Sequence, residues 1–288
     1  KDEDMTEDEP RKEDQQPPVK QVTLLPEAPA QSRHMAICQS PETDPLVIMN
    51  SRYFPPKPMG DGRTIIASYG GVNFVIPTLE NNALGAATEI GPGVGNLFDY
   101  CCYLLAKNNE YRGTGEINPT VLVNIDEYIE LCEPGREREN DSPTKRKARK
   151  DKMRRKLNAL ILLLCYGGLE KVEDADEKGK KKGKTLLFFQ GREFDEGKGN
   201  TLITFNPSTA ELLIRSHVLK VPRAIFKLDE RNPNTRPLAR KLAFHYGLKR
   251  NREIGTADII SVEALLKVCP GIPSISAVRA KNEVTGKL

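Results

Sequence analysis

The chain has 288 residues, 38% of them apolar and 29% charged, with a net charge of only +4. That balance argues against a fibrous or membrane-spanning chain and for a soluble protein with polar segments. The oiliest run, Leu157 to Tyr166, is about half the length a bilayer requires, and residues 1–20 hold no apolar stretch of the kind that opens a secreted chain.

The six cysteines (Cys38, Cys101, Cys102, Cys132, Cys165, Cys269) include no Cys-x-x-Cys pair. Three of them lie in apolar runs, where a free Cys behaves as a small core residue, so a reducing cytoplasm is the expected setting. The chain opens on Lys1 rather than Met, which reads as a processed product or a fragment.

Residues 1–45 are rich in Asp, Glu, Lys, Gln and Pro and nearly free of aromatics, and read as a disordered acidic and polar tail. Residues 46–95 form a β-rich N-terminal extension, with "RTIIASYGGVNFVIPT" folded at Gly70-Gly71 into a hairpin. "GPGVGN" (91–96) leads into the helix "LFDYCCYLLAKNN". "TVLV" (120–123) is a short strand, and "NIDEYIELCE" (124–133) a short helix capped by Asn124, with Asp126 and Glu127 in its first turn.

A longer helix follows in "SPTKRKARKDKMRRKLNALILLLCYGG" (142–168). Ser142 caps it, Pro143 suits its first position, and Gly167-Gly168 stop it, which gives about 24 residues and about 36 Å. "KVEDADEKGKKKGK" is a charged connector. "TLLFFQ" and "NTLITFN" are strands of a hairpin with "GREFDEGKG" as its long tip. "PLARKLAFHYG" (237–247) is a helix opened by Asn232 and Pro233.

One segment repeats another. "ADIISVEALLKVC" (257–269) matches "TVLVNIDEYIELC" (120–132) at a constant separation of 137 residues, with Ser261 in place of Asn124 and Cys269 in place of Cys132. A true repeat implies that the second copy stops at residue 288 before its own long helix and hairpin.

The long helix carries the strongest functional signal. Lys145, Arg146, Lys147, Arg149, Lys150, Lys152, Arg154, Arg155 and Lys156 crowd its first turns, opposed only by Asp151. Cations at a helix N-terminus oppose the macrodipole, and like charges four residues apart each cost a few tenths of a kcal/mol. An external anion relieves both costs, and DNA phosphate is the obvious one. From Met153 onward the helix turns apolar through Leu157, Leu160, Ile161 and Leu164, so the core holds only its later turns. A solvated basic helix or a basic sorting run is the other reading of the same residues. Arg192 and Lys198 fall near the hairpin tip, and Arg236, Arg240 and Lys241 with "LKRNR" make a second basic group.

Signatures of catalysis do not stand out. No phosphate-binding Gly-x-x-x-x-Gly-Lys-Ser/Thr occurs, the three His form no ligand pair, and no Cys/His cluster suggests zinc. No enzyme activity, cofactor or metal is expected.

Three helices with a short strand between the first two, then a hairpin, is the element order of a winged helix, an α+β fold. "VLVNIDEYIELC", the basic helix and "TLLFFQ…NTLITFNPSTAELLI", followed by "LKVPRAIFKLDERNPNTRPLARKLAFHYGL", resemble the tandem winged-helix replication initiators of plasmids and phages over about residues 96–288. The resemblance implies a first winged-helix domain at 96–215 and the start of a second at 216–288. It further implies sequence-specific binding of double-stranded DNA at origin repeats without catalysis, with a second copy of the chain and a replication helicase or its loader as partners and no membrane. Carried over, it puts Lys150, Arg154 and Arg155 on the DNA-facing helix. A winged-helix transcription regulator, or an interaction protein such as a helicase loader that grips an acidic partner, stands beside this reading.

Overall fold

Two adjacent glycines make a tight two-residue turn. Gly70 and Gly71 adopt φ of 57° and 77°, the left-handed pair that matches a two-residue turn to the twist of its strands. β3 (Arg63–Tyr69) and β4 (Val72–Pro77) pair across them, with Tyr69 opposite Val72. The hairpin expected from "SYGGVN" is therefore present.

The computed structural model describes residues 34–49, 54–77, 92–109, 115–132, 142–172, 183–195, 200–228, 232–247, 253–255, 259–269, 272–273, 276–277 and 279–280. β1 (His34–Gln39) and α1 (Asp44–Ile48) precede β2 (Lys57–Pro58) and the β3–β4 hairpin. Then come α2 (Pro92–Asn109), β5 (Thr120–Asn124), α3 (Ile125–Cys132) and α4 (Pro143–Tyr166). β6 (Gly168–Val172), β7 (Gly183–Leu187), β8 (Phe189–Asp195) and β9 (Asn200–Phe205) follow. The last elements are α5 (Pro207–Arg215), β10 (His217–Pro222), α6 (Thr235–Gly247) and the short α7 (Val262–Leu266).

The chain is a mixed α+β protein with antiparallel sheets. Among the described residues the strands order as β1-β10, β2-β3-β4-β6-β7 and β5-β9-β8. One apolar cluster runs from Met35 to Phe244 and takes side chains from all three sheets and from α2, α3 and α4. Residues 216–247 share this cluster: β10 pairs with β1, and Leu219, Val221, Ile225, Phe226 and Phe244 are buried in it. A small second cluster, Ile48, Val268 and Cys269 with Tyr69 and Leu238, seats the α7 segment, and the Tyr69 hydroxyl donates to the Lys267 carbonyl.

Several expectations need correcting. Residues 34–45, assigned to the disordered tail, hold β1 and the start of α1, with Ile37 and Cys38 fully buried. A six-residue strand was hidden by the composition of the segment around it. Residues 1–33 lie outside the described residues.

The stretch "TLLFFQ" is two strands rather than one. Phe188 and Phe189 are consecutive yet both buried, which a single alternating strand does not allow. At that point the chain leaves the five-stranded sheet, where β7 pairs with β6, and enters the three-stranded one, where β8 pairs with β9. The ends of the charged connector belong to the β6–β7 hairpin, in which Lys171 faces Lys184.

α2 begins at Pro92, five residues ahead of the expected start, because "PGVGN" is helical. Gly95 is required there: a Cβ on it would sit 2.9 Å from the Val47 Cα of α1.

The proposed repeat holds at its helix cap and in the helix that follows, Ile125–Cys132 in one copy and Val262–Leu266 in the other, but not in the strand before it. Ser261 Oγ accepts from Ala264 N at 3.1 Å, as Asn124 Oδ1 accepts from Glu127 N at 3.0 Å. However, Thr120–Asn124 is a strand, whereas Ile259–Ser261 belong to no strand, although the counterparts Leu122 and Ile259 are both exposed, at 53% and 68%.

Gly167 stops α4 in extended conformation, with φ of −92°, so it is no left-handed cap. Close packing demands glycine instead, since an added Cβ would collide with the Phe74 ring and lie 2.8 Å from the Leu163 carbonyl. Gly167→Ala is expected to cost about 1–3 kcal/mol as overpacking, read as a lowered urea midpoint at unchanged m-value.

Candidate nucleic-acid interface

α4 is built as the sequence implies. Ser142 Oγ accepts from Lys145 N at 3.4 Å, Pro143 opens the helix, and 24 residues follow. Its later turns are anchored: Leu157, Leu160, Ile161, Leu163 and Leu164 are each 5% exposed or less. At about 1.5–3 kcal/mol per buried side chain they contribute on the order of 10 kcal/mol, an upper estimate. The like-charge pairs of the early turns cost about 1–2 kcal/mol together. Burial therefore wins, and the helix runs unbroken through its charged half.

Met153 is half-buried and packs on the core edge, and Leu157 is the first fully buried side chain. Beyond that edge Lys145, Lys147, Lys150, Lys152 and Arg155 are exposed, while Arg146, Arg154 and Lys156 are half-buried. Arg149 is on the same helix, with its side chain outside the described residues. Lys145 to Arg155 spans about 15 Å of axis at 1.5 Å per residue.

α4 lies against α2, α3 and β8. The β8–β9 hairpin completes a sheet in which β9 sits between β5 and β8. Arg154 is engaged within the protein: its Nη2 donates to Asp126 Oδ1 and Oδ2 of α3 at 2.9 and 2.8 Å, and its Nη1 lies 3.7 Å from Asp151 Oδ1.

Other cations are placed differently from expectation. Arg192 is inside β8, opposite Ile203 and half-buried, instead of at the hairpin tip. The tip was set too early because β8 extends to Asp195. Lys198 lies outside the described residues. Lys184 donates to Glu42 at 2.9 Å.

Arg236 and Arg240 are not a basic surface. They are buried on α6 and face Asp99 of α2: Arg236 Nη2 donates to Asp99 Oδ2 at 2.8 Å and Arg240 Nε to the same oxygen at 3.0 Å. Arg240 Nη1 also donates to Asp44 Oδ1 at 2.9 Å, and its guanidinium stacks 4.0 Å over the Phe244 ring. Arg236 Nε donates to Asn96 Oδ1. Burial works against the Arg240 charge, but Asp99 and Asp44 outweigh it and hold the guanidinium ionised. The two arginines and two aspartates cancel, so this group is a structural clamp between α1, α2 and α6.

Sequence reasoning missed Asp99 altogether, and placed Asp126 in the first turn of its helix without its pairing to Arg154. A lone carboxylate inside the apolar run "LFDYCCYLL" was the available signal for Asp99, because such a group is rarely buried without a partner.

The thiols behave as core atoms. Burial pushes the Cys101 and Cys102 thiols far up, and raises Cys165 to about 11 against the opposing pull of Arg192. All three stay protonated at neutral pH. Among the described residues no helix is long and apolar enough to cross a membrane.

No protein-family profile matches the sequence, and no curated protein is similar to it. A crystal structure of domains 2 and 3 of RctB aligns over 78% of this chain and 76% of its own, at 13% identity and a TM-score of 0.31. A likeness of that degree fixes neither fold nor function.

Proposed function

We propose that the protein is a winged-helix module that binds double-stranded DNA through the N-terminal half of α4, without catalysis. One observation carries the reading: α2, β5, α3, α4, β8 and β9 follow the helix–strand–helix–helix–strand–strand order of a winged helix, and in that order the helix that enters the major groove is the one whose cationic turns leave the core. The sheet order β5-β9-β8 is that of the same fold. The β6–β7 hairpin, inserted between α4 and β8, is a departure from it. Exposed Lys145, Lys147, Lys150, Lys152 and Arg155 supply phosphate contacts, and the β8–β9 hairpin stands where a wing would.

Recognition of origin repeats at the start of replication rests on the sequence resemblance to plasmid and phage initiators alone. The second copy of the chain and the helicase or loader belong to that part of the proposal.

Titration of a labelled duplex at several salt concentrations tests the binding. With about six phosphates contacted, log affinity falls against log salt with a slope near −5. A response flat in salt would rule out this mode of binding.

A further inference from the structure

We propose that Asp126 is an internal stand-in for a DNA phosphate, which keeps Arg154 off the duplex and removes one backbone contact from sequence-independent binding; this rests on the duplex-binding reading above. Arg154 sits toward the C-terminal end of the cationic run, between exposed Lys152 and Arg155. It donates to a carboxylate on another helix. Its Nη2 straddles both Asp126 oxygens at 2.9 and 2.8 Å, the charge-assisted contact a guanidinium makes to a phosphate. Asp151 adds a second carboxylate at 3.7 Å from Nη1.

Asp126 stands on a capped helical turn. It lies in the first turn of α3, beside the Asn124 cap, where the helix N-terminus favours a negative charge. The pair is also open to solvent, with the Arg154 and Asp126 side chains 40% and 42% exposed. Water screens it, so the contact is weak enough for an incoming anion to contest. A phosphate that reaches Arg154 must displace the Asp126 carboxylate and then lie beside its charge. The result is a cation withheld from generic backbone binding and released only where the rest of the interface offsets that cost.

Duplex titration across about 50–200 mM salt with the full chain tests this. Asp126→Asn is expected to bind a random duplex about eightfold more tightly at ~0.1 M salt, with a slope steeper by about 0.9, the increment of one phosphate. Asp126→Ser, uncharged and suited to a first helical turn, gives the same gain. In an Arg154→Gln background the gain disappears. Glu127→Gln makes the same change of charge one residue along and leaves the slope unchanged. Affinity that is unaltered or lower in both Asp126 variants, or a gain that survives Arg154→Gln or is matched by Glu127→Gln, overturns the inference. A flat salt response in the unaltered protein overturns the duplex-binding reading and this inference with it. A steep response with unaltered Asp126 variants overturns the inference alone.

Discussion

In urea unfolding, Asp99→Ala is expected to lose about 3–5 kcal/mol, the usual consequence of stripping a buried ion pair of one partner. Against a typical total of about 5–15 kcal/mol, that removes about a fifth of the stability at the least. The reason is geometric. Asp99 is 2% exposed and accepts from Arg236 at 2.8 Å and from Arg240 at 3.0 and 3.3 Å. Without it two guanidiniums remain in the core with, among the described residues, Asp44 and Asn96 to meet them. Asp44→Ala removes a carboxylate whose side chain is 32% exposed, so water compensates and the loss is smaller. The triple change Asp99→Leu, Arg236→Met and Arg240→Met removes the charges together and should cost less than Asp99→Ala by itself. If Asp99→Ala unfolds at the same urea midpoint as the unaltered protein, the clamp does not hold the fold.

The other large effect lies on the exposed half of α4. Lys150→Glu, Lys152→Glu and Arg155→Glu together delete three phosphate contacts. At about 0.9 decades each, they are expected to lower duplex affinity at least ~500-fold at ~0.1 M salt and to flatten the salt slope by nearly 3. Thermal stability should hold or rise, because the Arg146/Lys150, Lys150/Arg154 and Lys152/Lys156 i, i+4 pairs change from repulsive to attractive and outnumber the one pair, Asp151/Arg155, that changes the other way. A collapse of the fold would show these side chains to be structural. Arg154 is deliberately left out: a glutamate there would lie beside Asp126 and Asp151, and its effect on binding would be mixed with local repulsion.

How much of this was legible depended on the range of the interaction. Local signals were reliable. Ser142 and Asn124 cap the helices they were assigned, Gly70-Gly71 makes its turn, and α4 has the expected 24 residues, because caps and turns are decided within four residues. The boundary in α4 was legible as well: the switch from Lys and Arg to Leu and Ile marks where the core ends, within a turn of Met153.

Long-range signals were not. Arg236 and Arg240 read as a basic patch because their partner, Asp99, is about 140 residues away in the chain. Arg154 read as a free cation because Asp126 is 28 residues back on another helix. The strand β1 is not legible because its partner β10 lies beyond α5, with β2 to β9 between the two in the chain. In each case one side of a pair was visible and the pairing was not.

The step between the sheets at Phe188 and Phe189 bears on how the protein comes apart. The Phe188 ring contacts Phe74 of the five-stranded sheet at 5.9 Å and Phe98 of α2 at 5.3 Å, while Phe189 meets Phe205 of the three-stranded sheet edge-on at 5.0 Å. Phe98 closes the circuit to Phe205 at 6.4 Å. Neighbouring residues joined by one peptide bond, Phe188 between the strands and Phe189 in β8, thus tie the two sheets through a shared aromatic cluster. Neither sheet can open without dragging the other's rings into water. The two therefore melt as one cooperative unit, and the amides of β4 and β9 exchange with solvent through the same global opening.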